Sequence, residues 1–252
     1  MKKLPYIAFL LLTAFLCAGI LLPSCRKYID EPEPVITELL CEKNIRGGCL
    51  DQWTMVDDGF GFKSFEPLGD YLRTLNYLAT LPAAAGGPGP LTTDSTSDAY
   101  EGSYAAKLIT GTFSPMGEPI LIPGLVGTDS LDIPNATIRV GKRYTLKPLK
   151  FRGYYKYAPV GGDSALVSVL LSKYNPALGK RDTIGLGREI FKNVVTEYTM
   201  IDLPINYQSQ ETPDTLTLLV CSSAGIRFDD LMNCKGQVGS TMWIDEIFFI
   251  MP

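Results

Sequence analysis

The chain has 252 residues, 46% hydrophobic and 20% charged, which is enough apolar content for a sizeable core in one globular domain. Its 27 acidic residues outnumber 23 basic ones, and such an acidic balance argues against nucleic acid as a partner. There is no histidine, so Ser-His-Asp and Cys-His nucleophile systems and imidazole metal ligation are excluded, and no G-x-S-x-G elbow, Walker loop or G-x-G-x-x-G is present.

Tyr6 to Leu22 is an uncharged run behind Lys2 and Lys3 that ends in Leu22-Pro23-Ser24-Cys25. This reads as a signal peptide over residues 1–24 closed by a lipobox, with Cys25 as the lipidated first residue; a single transmembrane anchor is the competing reading. Arg26 to Pro34 is polar and proline-stiffened, a tether between membrane and domain. In an exported chain Cys41, Cys49, Cys221 and Cys234 are expected to form bridges, and the local pairing of Cys41 with Cys49 and Cys221 with Cys234 is favoured among three. A four-cysteine zinc site competes, but the spacings do not match the usual close pairs. Residues 25–62 are expected to form a separate N-terminal segment: tether, disulfide-pinned hairpin, and a strand around Trp53 and Met55 ended by the turn Asp58-Gly59.

From Leu68 the apolar positions Leu68, Tyr71, Leu72, Leu75, Leu78 and Ala79 repeat at helical spacing behind Pro67, which predicts one short helix near residues 67–81. Pro82 to Asp98 reads as a long loop. Short β-like runs follow at Tyr104–Thr110, Ile120–Val126, Thr137–Val140, Arg143–Tyr157, Ser164–Leu171, Asp182–Phe191, Tyr198–Tyr207, Thr215–Ser222 and Thr241–Met251. Many strands without alternating helices predict an all-β fold, an antiparallel β-sandwich.

Leu146 to Pro159 carries the densest chemistry. Successive strand side chains face opposite ways, so Phe151, Tyr155 and Tyr157 share one face while Arg152, Tyr154 and Lys156 share the other. The buried phase switches near Pro148, which predicts a bulge there. On a solvent face, Arg152, Tyr154 and Lys156 would offer a ring between two hydrogen-bond donors, the arrangement that holds a pyranose. The alternative is that this face packs under the Pro82–Asp98 loop. Asp245 lies in phase with Trp243, Ile247 and Phe249, so a buried last strand would place an acid in the core, where it must be paired, bonded to backbone or held by a cation. Hard oxygen ligation favours calcium.

Gly141, Lys147-Pro148 and Gly153-Tyr154-Tyr155-Lys156-Tyr157-Ala158-Pro159 resemble the central motif of the putative carbohydrate metabolism domain, a jelly-roll module of Bacteroidetes surface lipoproteins. Phe65-Glu66, Thr74-Leu75-Asn76, Gly102 to Leu108, Pro213-Asp214 with Ser222-Ser223, and Gly239-Ser240 with Ile244-Asp245 fall in the same order, so the resemblance covers roughly residues 63–252. It implies a galactose-binding-like jelly roll and a glycan or polysaccharide ligand. It further implies lipid anchorage at the outer membrane or cell surface, within a glycan-uptake assembly. Glu66 and Asp245 occupy places like those that ligate a structural calcium in several carbohydrate-binding jelly rolls. The chain departs from the family at Pro67-Leu68 and Leu72-Arg73, where tryptophans are usual, so the resemblance does not carry over a sugar platform built from them. Two other readings stand beside glycan binding. One is glycoside cleavage by paired carboxylates drawn from Glu66, Asp163, Asp202, Asp214, Asp229, Asp230, Asp245 and Glu246. The other is a structural subunit of a surface assembly with no ligand of its own.

Overall fold

Alternating apolar residues become strands in the computed structural model, which describes residues 45–57, 63–69, 71–80, 87–114, 117–128, 130–132, 137–139, 141–227 and 233–252. The expected signal peptide, Cys25, the tether, Cys41 and the Asp58-Gly59 turn lie outside these residues. The strands in chain order are β1 (Trp53–Asp57), β2 (Lys63–Pro67), β3 (Thr93–Thr96), β4 (Ala105–Ile109), β5 (Gly111–Phe113), β6 (Ile120–Ile122), β7 (Leu125–Gly127), β8 (Ser130–Asp132), β9 (Thr137–Arg139) and β10 (Lys142–Arg143). The longer ones follow: β11 (Lys150–Ala158), β12 (Ala165–Asn175), β13 (Lys180–Phe191), β14 (Val195–Pro204), β15 (Asn206–Tyr207), β16 (Thr215–Cys221) and β17 (Thr241–Ile250).

One sheet has five strands in the order β14-β11-β17-β4-β3; the other runs β10-β16-β12-β13-β15, with β7 added on β16. The pairings are antiparallel. The chain passes repeatedly from one sheet to the other, β11 to β12, β13 to β14 and β16 to β17, so each sheet pairs strands distant in sequence. This is the jelly-roll form of the antiparallel sandwich. The inner faces meet in one core: Phe151, Tyr157, Ile244, Ile247 and Phe249 from the five-stranded sheet, and Val167, Val169, Leu171, Leu216 and Leu218 from the other. Burying each such side chain stabilises the fold by about 1.5–3 kcal/mol. On β12 the expected face of Ala165, Val167, Val169 and Leu171 is wholly buried, as period two requires.

Residues 45–57, part of the expected N-terminal segment, pack against the sandwich core. Ile45 and Leu50 join the main core, Ile247 N donates to Gly48 O at 2.9 Å, and β1 pairs with β2 across the expected boundary at 62. Cys49 is buried and disulfide-bonded, with its expected partner Cys41 outside the described residues. Cys221 and Cys234 are thiols, which corrects the bridge expected between them.

The helix expected near 67–81 shrinks to a 3-10 turn at Asn76–Thr80. Its first half is held extended by long-range partners: Arg73 exchanges two backbone bonds with Gly127, and Thr74 N donates to the buried Glu66 carboxylate at 2.7 Å. Asn76 then stitches the hairpin to the sheet, donating through Nδ2 to Phe65 O and Thr93 O, both at 2.7 Å. These tertiary bonds override helical periodicity. Within the expected Pro82–Asp98 loop, Thr93–Thr96 is an edge strand on β4. The bulge expected at Pro148 is also elsewhere: the β11 ladder shifts between Arg152 and Tyr154 against β17, and between Tyr155 and Tyr157 against β14.

Candidate functional site: the outer face of the five-stranded sheet

The alternation along β11 is as expected. Phe151, Tyr155 and Tyr157 are buried, and Arg152, Tyr154 and Lys156 emerge on the other face. These three do not, however, act as one unit. Arg152 Nε and Lys150 Nζ donate to Asp202 on β14 at 2.7 and 2.5 Å, and the two donors hold the Asp202 carboxyl below its usual range. Tyr154 is covered by Tyr100, whose ring lies parallel to it with centroids 3.6 Å apart and planes 9° from parallel. Tyr100 itself is 44% exposed. Tyr154 is thus covered by a residue beyond the expected Pro82–Asp98 loop, and the ring presented to solvent is Tyr100.

Lys156 organises the rest. Its ammonium forms a salt bridge with Asp98 and sits 4.7 Å from the Tyr198 ring centroid and 5.3 Å from that of Trp243. Across the strands β4, β17 and β11, Lys107, Trp243 and Lys156 lie directly opposite one another in register. The indole is therefore flanked by two ammonium groups, with Lys107 Nζ 5.7 Å from its centroid. Tyr198 stands edge-on to Tyr100 at 6.1 Å, and its hydroxyl donates to Asp98 O at 2.5 Å. Burial, with Asp98 and Asp245 nearby, pushes the Tyr198 phenol above its ordinary range, so it remains a donor. Beside Trp243 opens a cleft of about 250 Å³ lined by Asp98, Lys156, Val194, Val195 and Thr196.

Sequence reasoning missed Trp243 because it assigned the wrong phase. Glu246 adopts φ 47°, and the β17 register slips there against Gly153. Before the slip Met242 and Ile244 point inward; after it Ile247 and Phe249 do. Trp243 and Asp245 therefore face outward on the side of Lys156 and Tyr154, a correction to the expectation that they share the core face. Asp245 is nevertheless fully buried, beneath Tyr100 and Glu101. Its Oδ2 accepts from Tyr100 N (2.8 Å) and Glu101 N (3.2 Å), and its Oδ1 from Glu246 N (2.9 Å). Burial raises its pKa to about 6 in spite of these bonds.

Glu66 is engaged in a similar way. Its Oε2 takes Thr74 N and its Oε1 takes the Thr74 hydroxyl at 3.1 Å, while burial raises its pKa. Both carboxylates thus have oxygens committed to donors of the chain itself. Among the described residues no group of three or more acidic or cysteine side chains gathers that could hold a metal ion. The two donor sets fit backbone anchoring.

Fold and face together define an antiparallel jelly-roll sandwich with an aromatic and cationic cleft on its five-stranded sheet. A solved protein of Bacteroides thetaiotaomicron VPI-5482, described as a putative glycoside hydrolase, is similar with a TM-score of 0.59 at 18% identity, over 80% of this chain and 70% of that one. Another, of Bacteroides vulgatus ATCC 8482 and described in the same words, has a TM-score of 0.58 at 16% identity, over 80% of this chain and 96% of that one. Likeness at these identities establishes the shared fold. No protein-family model matches the chain, and no curated protein does.

Proposed function

We propose that this protein binds glycan chains on the outer face of its five-stranded sheet, as a lipid-anchored surface protein related to the putative carbohydrate metabolism domain. The observation that carries the reading is the row Lys107, Trp243, Lys156 with Tyr100 and Asp98 beside it. Hydroxyls alone exchange water for protein with little net gain, so sugar recognition needs an apolar ring face for the C–H side of a pyranose and donors and acceptors at its rim. Trp243 supplies the ring face; Lys107, Lys156 and Asp98 supply the rim. The Bacteroides proteins of like fold, both described as putative glycoside hydrolases, support a carbohydrate-related role.

Binding is favoured over cleavage at this face. Glycoside hydrolysis uses two carboxyl groups that flank one bond. Here Asp98 is salt-bridged to Lys156 and Asp245 is buried against backbone N–H groups. The anchor at Cys25, the outer-membrane or cell-surface location and membership of a glycan-uptake assembly belong to the same proposal.

The chain has two tryptophans, and Trp53 stacks on Phe65 in the β1–β2 hairpin. In Trp53→Phe, Trp243 is the sole indole. Titration with soluble plant and bacterial polysaccharides should shift its emission for at least one of them. A folded protein whose emission responds to none would favour the structural-subunit reading.

A further inference from the structure

The segment Asp98–Tyr104 brings both Asp98 and Tyr100 to the site, yet its residues between β3 and β4 make no ladder pairs. Four of its backbone N–H groups end on two carboxylates. Tyr100 N and Glu101 N donate to Asp245 Oδ2, on β17; Ser103 N and Tyr104 N donate to Asp51 Oδ1 at 2.6 and 3.0 Å, just before β1. Between the two pairs Gly102 takes φ 70°, and a Cβ there would lie 2.2 Å from each Asp51 carboxylate oxygen. The turn is thus fitted around the Asp51 carboxylate, and only glycine suits it. Charge-assisted bonds from N–H to carboxylate are the strong class, and here they take the place of strand pairing.

We propose that Asp51 and Asp245 are the positioning residues of the glycan site: they suspend Asp98–Tyr104 as a strap across the sheet, which sets Asp98 against Lys156 and lays Tyr100 over Tyr154. The inference rests on the glycan-binding reading for its purpose. The strap stacks the Tyr100 ring on that of Tyr154, so the ring this part of the face presents to solvent is Tyr100. Neither carboxylate touches the ligand; each acts through the backbone it holds.

Hydrogen exchange of the strap amides tests this with no glycan present, so its outcome is independent of whether a ligand is found. In the full chain, Asp51→Ala should lower protection at Ser103 and Tyr104 by about tenfold, the scale of one lost bond to a charged group, and leave Tyr100 and Glu101 less changed. Asp245→Ala should do the reverse. Asp51→Asn and Asp245→Asn, which keep an acceptor oxygen, should restore most of the protection. Wild-type protection in both alanine variants would overturn the proposal, as would a uniform loss across the strap that asparagine does not rescue. Asp51 lies outside the core, so its pair of variants tests the idea even if Asp245→Ala fails to fold.

Discussion

Asp245 shows how one buried carboxylate couples stability to pH. Burial raises its folded pKa to about 6 from the ordinary 3.8, so the native state binds this proton more tightly than the unfolded chain does. Stability therefore falls as pH rises from about 4 to 6, and this contribution is flat above that window. Glu66 shifts in the same direction, so the contribution of Asp245 is the difference between wild type and Asp245→Asn. Melting temperature measured across that range should decline more steeply in wild type; parallel curves would refute the assignment. Cys221 gives a second check at this scale. It is fully buried, and burial pushes its thiol up to about 12. Native alkylation should spare Cys221 and modify the half-buried Cys234, with Cys221 reacting only in denaturant. Along β11, inward and outward residues were legible because period two is set by the backbone. The phase of Trp243 was not, because one left-handed residue, Glu246, reverses it and no glycine or asparagine signals the bend.

Elements were legible where they are long and alternate. β12 is the clearest case, and Leu171→Ala should cost about 2–5 kcal/mol in chemical denaturation while Lys173→Ala, half-buried near the strand's end and ion-paired with Glu211, should cost under about 1 kcal/mol. The stretch 67–81 was misread because helical spacing of its apolar residues satisfies three separate neighbours: Leu72 the main core, Leu78 a small cluster with Phe113, Ile120 and Ile122, and Leu75 the edge of that cluster. Nothing local says that Glu66, Asn76 and Gly127 will claim the backbone between them. Close backbone approach was equally hidden. A Cβ on Gly124 would lie 2.4 Å from both Ile109 N and Thr92 O, so Gly124→Ala should destabilise the junction of β4 and β7 by more than the roughly 1 kcal/mol typical of point mutants.

At the scale of the whole molecule, strand count and the absence of helical alternation were sufficient for the sandwich, while the partition of strands between two sheets required long-range pairing. The site follows the same division. Lys156 was visible in the sequence, but Lys107, Tyr100, Tyr198 and Trp243 come from four other parts of the chain and meet only through the order β14-β11-β17-β4 and the strap. Lipid anchorage is tested apart from the fold: metabolic labelling with a fatty acid should be lost in Cys25→Ser, and unchanged labelling would rule out the lipobox. The central claim, that the outer face of the five-stranded sheet binds glycan through Trp243, is tested most directly by a glycan array probed with wild type and Trp243→Ala. Trp243 is half-buried and its ring lies outside the core, so the substitution should leave the melting temperature nearly unchanged. Wild type is expected to bind a defined set of glycans, and the variant to bind them about thirtyfold more weakly, the effect of losing one central aromatic contact. Undiminished binding by Trp243→Ala, or an empty array with correctly folded wild type, would contradict the account.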